Sequence, residues 1–296
     1  MNRKDISGQR VRFRVMILTL LLSFSTFVAP TSSFAASHSA PKTALPIQVS
    51  TPGAKYVALG SSYASGPGIA PVTDAGCGRS GENYASRVAR FLGYALVDRT
   101  CSGARTDHIL HTSQSVRGGA QVPPQIEAVT ADTKLVTVTV GGNDVRYMTR
   151  ILADSKNGAP VPEPTMLDYA KVEGSLVAIV GAIRLRAPGA RVVLVDYLPL
   201  VSRIAGGCAA APLNAPQTES AIRVHQAVAD ATARAAGFAG ADLVQASRIG
   251  AGHAVCTADP WVSGFQPRPG DDGAVRYHVT ARGMRAVAQQ IVRQIG

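Results

Sequence analysis

Five short runs rich in apolar and β-branched residues, 54–59, 95–98, 135–140, 191–197 and 241–244, alternate along the chain with longer stretches of helical apolar spacing. This alternation constrains the fold more than any other feature, because a parallel strand pair needs a long crossover and a helix is its usual form. Val172, Leu176, Ile179, Val180 and Ile183 make one stripe, stopped by Pro188-Gly189. Met284, Val287, Ala288, Ile291, Val292 and Ile295 make a second, with Thr280 as its candidate cap, and Val224, Ala227, Val228 and Ala231 make a weaker third. The stripes are core faces and carry no function. Together they predict an α/β domain with a five-stranded parallel sheet and helices on both faces.

The chain opens with a different kind of segment. Arg3, Lys4, Arg10, Arg12 and Arg14 precede an apolar run over 16–28, and Ser33-Phe34-Ala35 offers a small-x-small cleavage site. Residues 1–35 therefore read as a signal peptide, with an uncleaved signal anchor as the alternative. The Ser-, Ala- and Pro-rich stretch 36–52 reads as a linker, which leaves 53–296 as one domain of sufficient size for a core. Residues 1–35 carry five basic residues and Asp5, so their removal lowers the formal charge from +11 to +7. The remaining cations are dispersed, mostly as single arginines, which argues against a nucleic-acid partner and leaves association with an anionic cell envelope open. Cys77, Cys101, Cys208 and Cys256 make an even count in an exported chain, so two disulfides are expected; four cysteines allow three connectivities. Without C-x-x-C pairs, a zinc site is not expected.

Gly-rich and polar segments follow the strand ends at 60–68, 101–105, 141–145 and 199–208. All leave the carboxyl edge of such a sheet, where open α/β folds bind ligands. The first delivers Ser62 in Gly60-Ser61-Ser62-Tyr63. The others carry Cys101-Ser102-Gly103-Ala104 and Gly141-Gly142-Asn143-Asp144, and Tyr277-His278-Val279 stands before the last helical stripe. The irregular stretch 250–277, with Trp261 and Phe265, is expected to be a surface loop outside the core.

In this order the four segments resemble the four blocks of the SGNH (GDSL-type) hydrolases, serine esterases and lipases with a three-layer α/β/α, flavodoxin-like fold. The resemblance implies Ser62 as nucleophile and His278 as base. The Ser62 and Gly103 main-chain N–H groups and the Asn143 amide would then hold the oxyanion. The reaction would be hydrolysis of a lipid or small-molecule carboxylic ester through an acyl-enzyme, by a secreted or envelope-associated monomer without metal or organic cofactor. The resemblance to secreted actinobacterial members also implies the pairing of Cys77 with Cys101 and of Cys208 with Cys256.

Two positions depart from the family pattern. Ser61 replaces the Asp of the Gly-Asp-Ser motif, and Val275 stands where many members place an Asp three residues before the histidine. The main-chain carbonyl of Val275 is the favoured acceptor for the His278 ring, with Asp271 and Asp272 as alternatives. These departures keep an inactive secreted binding module with the same fold in view, beside a deacetylase or acyltransferase acting on envelope sugars or lipids. Other chemistries are excluded on motif grounds. Gly66-Pro67-Gly68-Ile69-Ala70-Pro71 lacks the third glycine of a dinucleotide loop, and no phosphate loop, His-Glu-x-x-His or Gly-x-Ser-x-Gly elbow occurs.

Overall fold

A computed structural model describes residues 52–159, 161–203, 208–266 and 275–295. The expected signal and nearly all of the expected linker lie outside these residues, as do Asp271 and Asp272.

Five strands, β1 (Lys55–Gly60), β2 (Ala95–Asp98), β3 (Thr133–Thr139), β4 (Arg191–Val195) and β5 (Asp242–Val244), form the central sheet. Their order is β2-β1-β3-β4-β5, and every neighbouring pair is parallel. All five expected runs are strands, with ends that differ by one or two residues. The middle strands are buried on both faces, Tyr56, Val57, Ala58 and Leu59 entirely so, and such a sheet needs a helical layer on each side. The helices pack as two sets. The first pairs α2 (Tyr84–Leu92) with α8 (Ala281–Ile295), and the second pairs α5 (Met166–Arg186) with α6 (Ala215–Ala239). Each of the three apolar stripes read in the sequence turns most of its residues into the core. Thr280 caps α8, its Oγ1 accepting from the Gly283 N–H at 3.2 Å.

Two of the buried tyrosines of this core pair their hydroxyls with threonines of β3, Tyr56 with Thr137 at 2.7 Å and Tyr84 with Thr139 at 2.9 Å. An unpaired hydroxyl there would cost about 1–3 kcal/mol. Stretch 250–277 departs from expectation. Val255, Val262 and Ser263 are buried, and Trp261 stacks on His253 with centroids 3.7 Å apart. Val262 also bridges Val279. Among the described residues, 250–266 are irregular because their backbone pairs with other loops, yet they close the core beside the start of α8. Short helices occupy the strand ends: α1 (Ser62–Ser65), α3 (Thr106–Leu110), α4 (Tyr147–Ser155) and α7 (Ala246–Ile249).

Candidate active site

The turn after β1 is built around Gly60. Its φ of +147° lies outside what L side chains adopt, and a Cβ there would stand 2.5 Å from the Thr139 carbonyl, so only glycine fits. Gln125 grips the same residue from outside the sheet, accepting from the Gly60 N–H at 2.7 Å and donating to its carbonyl at 3.0 Å. The Ser61 N–H then bonds the Thr139 carbonyl at 2.8 Å. The chain thus swings up into α1 with Ser62 as its first residue, where a helical N–H has no partner within the helix. Ser62 is 9% exposed.

The segment after β2 is fastened to this turn. The Cys101 N–H donates to the Gly60 carbonyl at 2.9 Å, and the disulfide to Cys77 closes the other side. Gly103 takes a φ of +82°, and its neighbour Ser102 is held by the Gln114 amide at 2.7 Å and by Ser65 Oγ at 3.0 Å. The segment after β3 joins both. The Asn143 Nδ2 donates to the Ala104 carbonyl at 2.9 Å, and the Asp144 carboxylate accepts from the Thr106 hydroxyl at 2.6 Å and from its N–H. The Gly142 N–H donates to Tyr197 Oη at 2.9 Å, and that hydroxyl lies 3.5 Å from Ser61 Oγ. Burial pushes the Tyr197 phenol up to about 12, so it remains protonated and able to donate. His225, on α6, anchors Tyr197 from behind with its Nε2–H on the Tyr197 carbonyl at 2.7 Å.

Ser61, Ser62, Tyr63, Gly142, Asn143, Tyr147, Met148 and Tyr197 line one small cleft of about 10 Å³, room for roughly a single water. His278 reaches the same neighbourhood from the far end of the chain. Tyr63, the residue after Ser62, donates its hydroxyl to the carbonyl of Tyr277 at 3.0 Å, and its ring lies 5.8 Å from the His278 ring.

The chain resembles known proteins. The profile of the GDSL-like lipase/acylhydrolase family matches residues 58–286. The chain belongs to this family. As a member it is a carboxylic ester hydrolase, and its substrates are small-molecule esters. Lipase 2 of Streptomyces coelicolor is 31% identical over 280 residues, which cover 88% of this chain and 90% of that one. The extracellular lipase of Streptomyces rimosus matches the structure with a TM-score of 0.63 at 26% identity, over 82% of this chain and all of that one. Phospholipase A1 from Streptomyces albidoflavus gives a TM-score of 0.65 over 82% of this chain and 99% of that one; at 22% identity the likeness speaks for the fold alone. The expected fold and family are therefore those observed. Both expected disulfides are also present, Cys77 with Cys101 and Cys208 with Cys256.

One site assignment in this hydrolase needs correcting. The His278 ring does not use the Val275 carbonyl; its Nδ1 lies 2.7 Å from the carbonyl of Arg276. A carbonyl only accepts, so Nδ1 carries the proton and Nε2 presents its lone pair. The Val275 carbonyl is already taken by Ser263 Oγ at 2.5 Å and the His278 N–H at 3.1 Å. The cause is backbone: Tyr277 adopts a φ of +57°, and the tight turn it makes folds the ring back onto the residue two before it. Burial lowers the His278 pKa below the ordinary 6.5, with the Arg276 bond opposing in part. Sequence reasoning missed Tyr63, Gln125, Tyr197 and Ser263 as parts of this site. Only the position of Tyr63, directly after Ser62, offered a local signal.

Proposed function

We propose that this exported hydrolase cleaves carboxylic esters of apolar acyl groups through an acyl-enzyme on Ser62, with His278 as general base. His278 Nε2 takes the Ser62 proton as Oγ bonds to the ester carbonyl carbon. The oxyanion that forms accepts from the main-chain N–H of Ser62, from that of Gly103, and from the N–H of Asn143 not spent on Ala104. Collapse breaks the bond to the alcohol oxygen, which receives the proton from the imidazolium. Water then attacks the acyl-enzyme, giving its proton to His278, and Ser62 leaves with that proton as the acid departs. The Arg276 carbonyl holds the ring in the required tautomer, but as a neutral acceptor it stabilises the imidazolium less than a carboxylate would.

The observation that carries this reading is the 3.0 Å bond between Tyr63 and the Tyr277 carbonyl, which joins the neighbours of two groups at opposite ends of the chain. The cleft holds only about one water as it stands, but its lining beside Ser62, from Tyr63, Tyr147, Met148 and Tyr197, is largely apolar, which favours an apolar acyl group over a polar one. Export is supported by the signal-like start, by two disulfides and by the extracellular relative. The test is hydrolysis of nitrophenyl esters from acetate to palmitate, with fluorophosphonate labelling beside it. Ser62→Ala should lose about 10³-fold or more of turnover with its fold intact, and should no longer take the label. Undiminished turnover by Ser62→Ala removes this mechanism.

A further inference from the structure

The peptide plane between Tyr277 and His278 is held from both sides. Its carbonyl accepts from Tyr63 Oη at 3.0 Å, and its N–H is shared between the Val275 carbonyl at 3.1 Å and Ser263 Oγ at 3.2 Å. The Ser263 N–H adds a bond to the His278 carbonyl at 2.8 Å. This bracing opposes a local cost. Tyr277 sits at a φ of +57°, a left-handed conformation unfavourable for a bulky L residue that persists only where neighbours impose it. Tyr277 is fully buried, and its own hydroxyl meets Ser155 Oγ at 2.6 Å.

Tyr63 joins this braced turn to the turn that carries Ser62. The two residues are adjacent in α1. The Tyr63 ring tilts against Tyr197 with centroids 5.0 Å apart, and Tyr197 in turn holds the Gly142 N–H. Burial keeps the Tyr63 phenol protonated, so its hydroxyl is a permanent donor.

We propose that Tyr63 is a positioning residue of the ester-hydrolysing site: its bond to the Tyr277 carbonyl fixes the peptide plane from which His278 hangs, and so sets the base against Ser62. The inference rests on the Ser62 and His278 roles given above. Without the hydroxyl, the Tyr277 carbonyl becomes a buried acceptor lacking its donor, and the plane can rotate to relieve the left-handed turn. The imidazole moves with it, and a displacement on the order of 1 Å at a reacting group can cost about 100-fold. Because Tyr63 Oη is engaged with protein, the loss should fall on kcat and leave KM in place.

Tyr63→Phe keeps the ring and deletes only the donor. Assayed as the full chain on nitrophenyl butyrate, with rates expressed per fluorophosphonate-titrated site so that any unfolded fraction drops out, it should lose about tenfold or more in kcat. KM should stay within about twofold. Inactivation by the fluorophosphonate should slow by a similar factor. The acid limb of kcat/KM should move up in pH as a less confined ring regains water. Ser263→Ala, which releases the other side of the plane, should move the same readouts in the same direction. Wild-type kcat, acid limb and inactivation rate in Tyr63→Phe would overturn the proposal. So would a lowered Tm with those three unchanged, which is the signature of a structural role alone. Full turnover in Ser62→Ala or His278→Ala would remove the underlying reading and this inference with it, whereas inert Ser62→Ala and His278→Ala beside an indifferent Tyr63→Phe would remove this inference only.

Discussion

The Asn143 side chain donates to the carbonyl of Ala104 at 2.9 Å, tying the segment after β3 to the segment after β2. One of its two amide hydrogens is spent on that bond, which fixes the plane of the amide and aims the other. In the proposed mechanism such a preorganised donor acts where charge develops and needs no rearrangement at the moment of reaction. Asn143→Ala should therefore lose about 10²–10³-fold in kcat. Thermal unfolding should change little, since Asp144 still binds Thr106 across the same two segments. A loss confined to KM would show that Asn143 binds the ground state instead.

In the proposed mechanism the His278 ring is neutral when it acts as base, so activity is expected above its pKa and lost as pH falls through it. Burial depresses that pKa below 6.5. The acid limb of kcat/KM, which reports the free enzyme, should accordingly have its midpoint below the ordinary histidine value. A midpoint at or above 6.5, measured on nitrophenyl butyrate at constant ionic strength, would mean that the ring is solvated or paired with a carboxylate. Asp271 and Asp272 are the nearest such groups in sequence, and Asp271→Asn with Asp272→Asn should leave the midpoint where it was.

The two disulfides differ in what they hold. Their sequence separations are 24 and 48, which correspond to about 3.5 and 4 kcal/mol of unfolded-state entropy. Cys101 lies two residues before Gly103 and donates its N–H to Gly60, so the first bridge also braces the segment proposed to help hold the oxyanion. Replacing Cys77 and Cys101 by Ser should lower both Tm and kcat, while the same change at Cys208 and Cys256 should act mainly on Tm. Equal loss of kcat from both pairs would argue that each supports the site only through global stability.

The elements with a local period were legible in the sequence. The β runs and the three apolar stripes needed no knowledge of their partners, because a buried strand or helix face announces itself by spacing. The blocks around Ser62, Gly103, Asn143 and His278 were legible as motifs. What escaped notice depends on residues that meet only in three dimensions: Gln125 on Gly60, Tyr197 on Gly142, and Ser263 on the His278 backbone. The Arg276 carbonyl escaped for a narrower reason. Counting back from His278 assumes an ordinary backbone, and the left-handed Tyr277 changes which carbonyl the ring can reach. The described part of stretch 250–277 was misjudged because its Pro and Gly content reports irregularity and carries no information on burial.

Asp196, at the end of β4, offers a test of stability independent of catalysis. Its carboxylate is 3% exposed and accepts from the Ser247 N–H at 2.7 Å and hydroxyl at 2.6 Å. Burial outweighs these bonds and raises its pKa from 3.8 to about 6. A carboxyl raised in the folded state favours folding most fully at low pH, where it is protonated, and that contribution is lost as pH rises through about 6. The loss reaches about 3 kcal/mol at most for a shift of this size. Asn at this position remains neutral at every pH; its oxygen can accept from the Ser247 N–H, and its amide can donate to the Ser247 hydroxyl, which turns to accept. Asp196→Asn should therefore gain stability relative to the native chain as pH is raised from about 4, most steeply between the unfolded value of 3.8 and the folded value of about 6, and the gain should level off by about pH 8. Urea midpoints taken across that range check it, and a difference that stays constant with pH would mean that Asp196 is ionised in the fold without penalty.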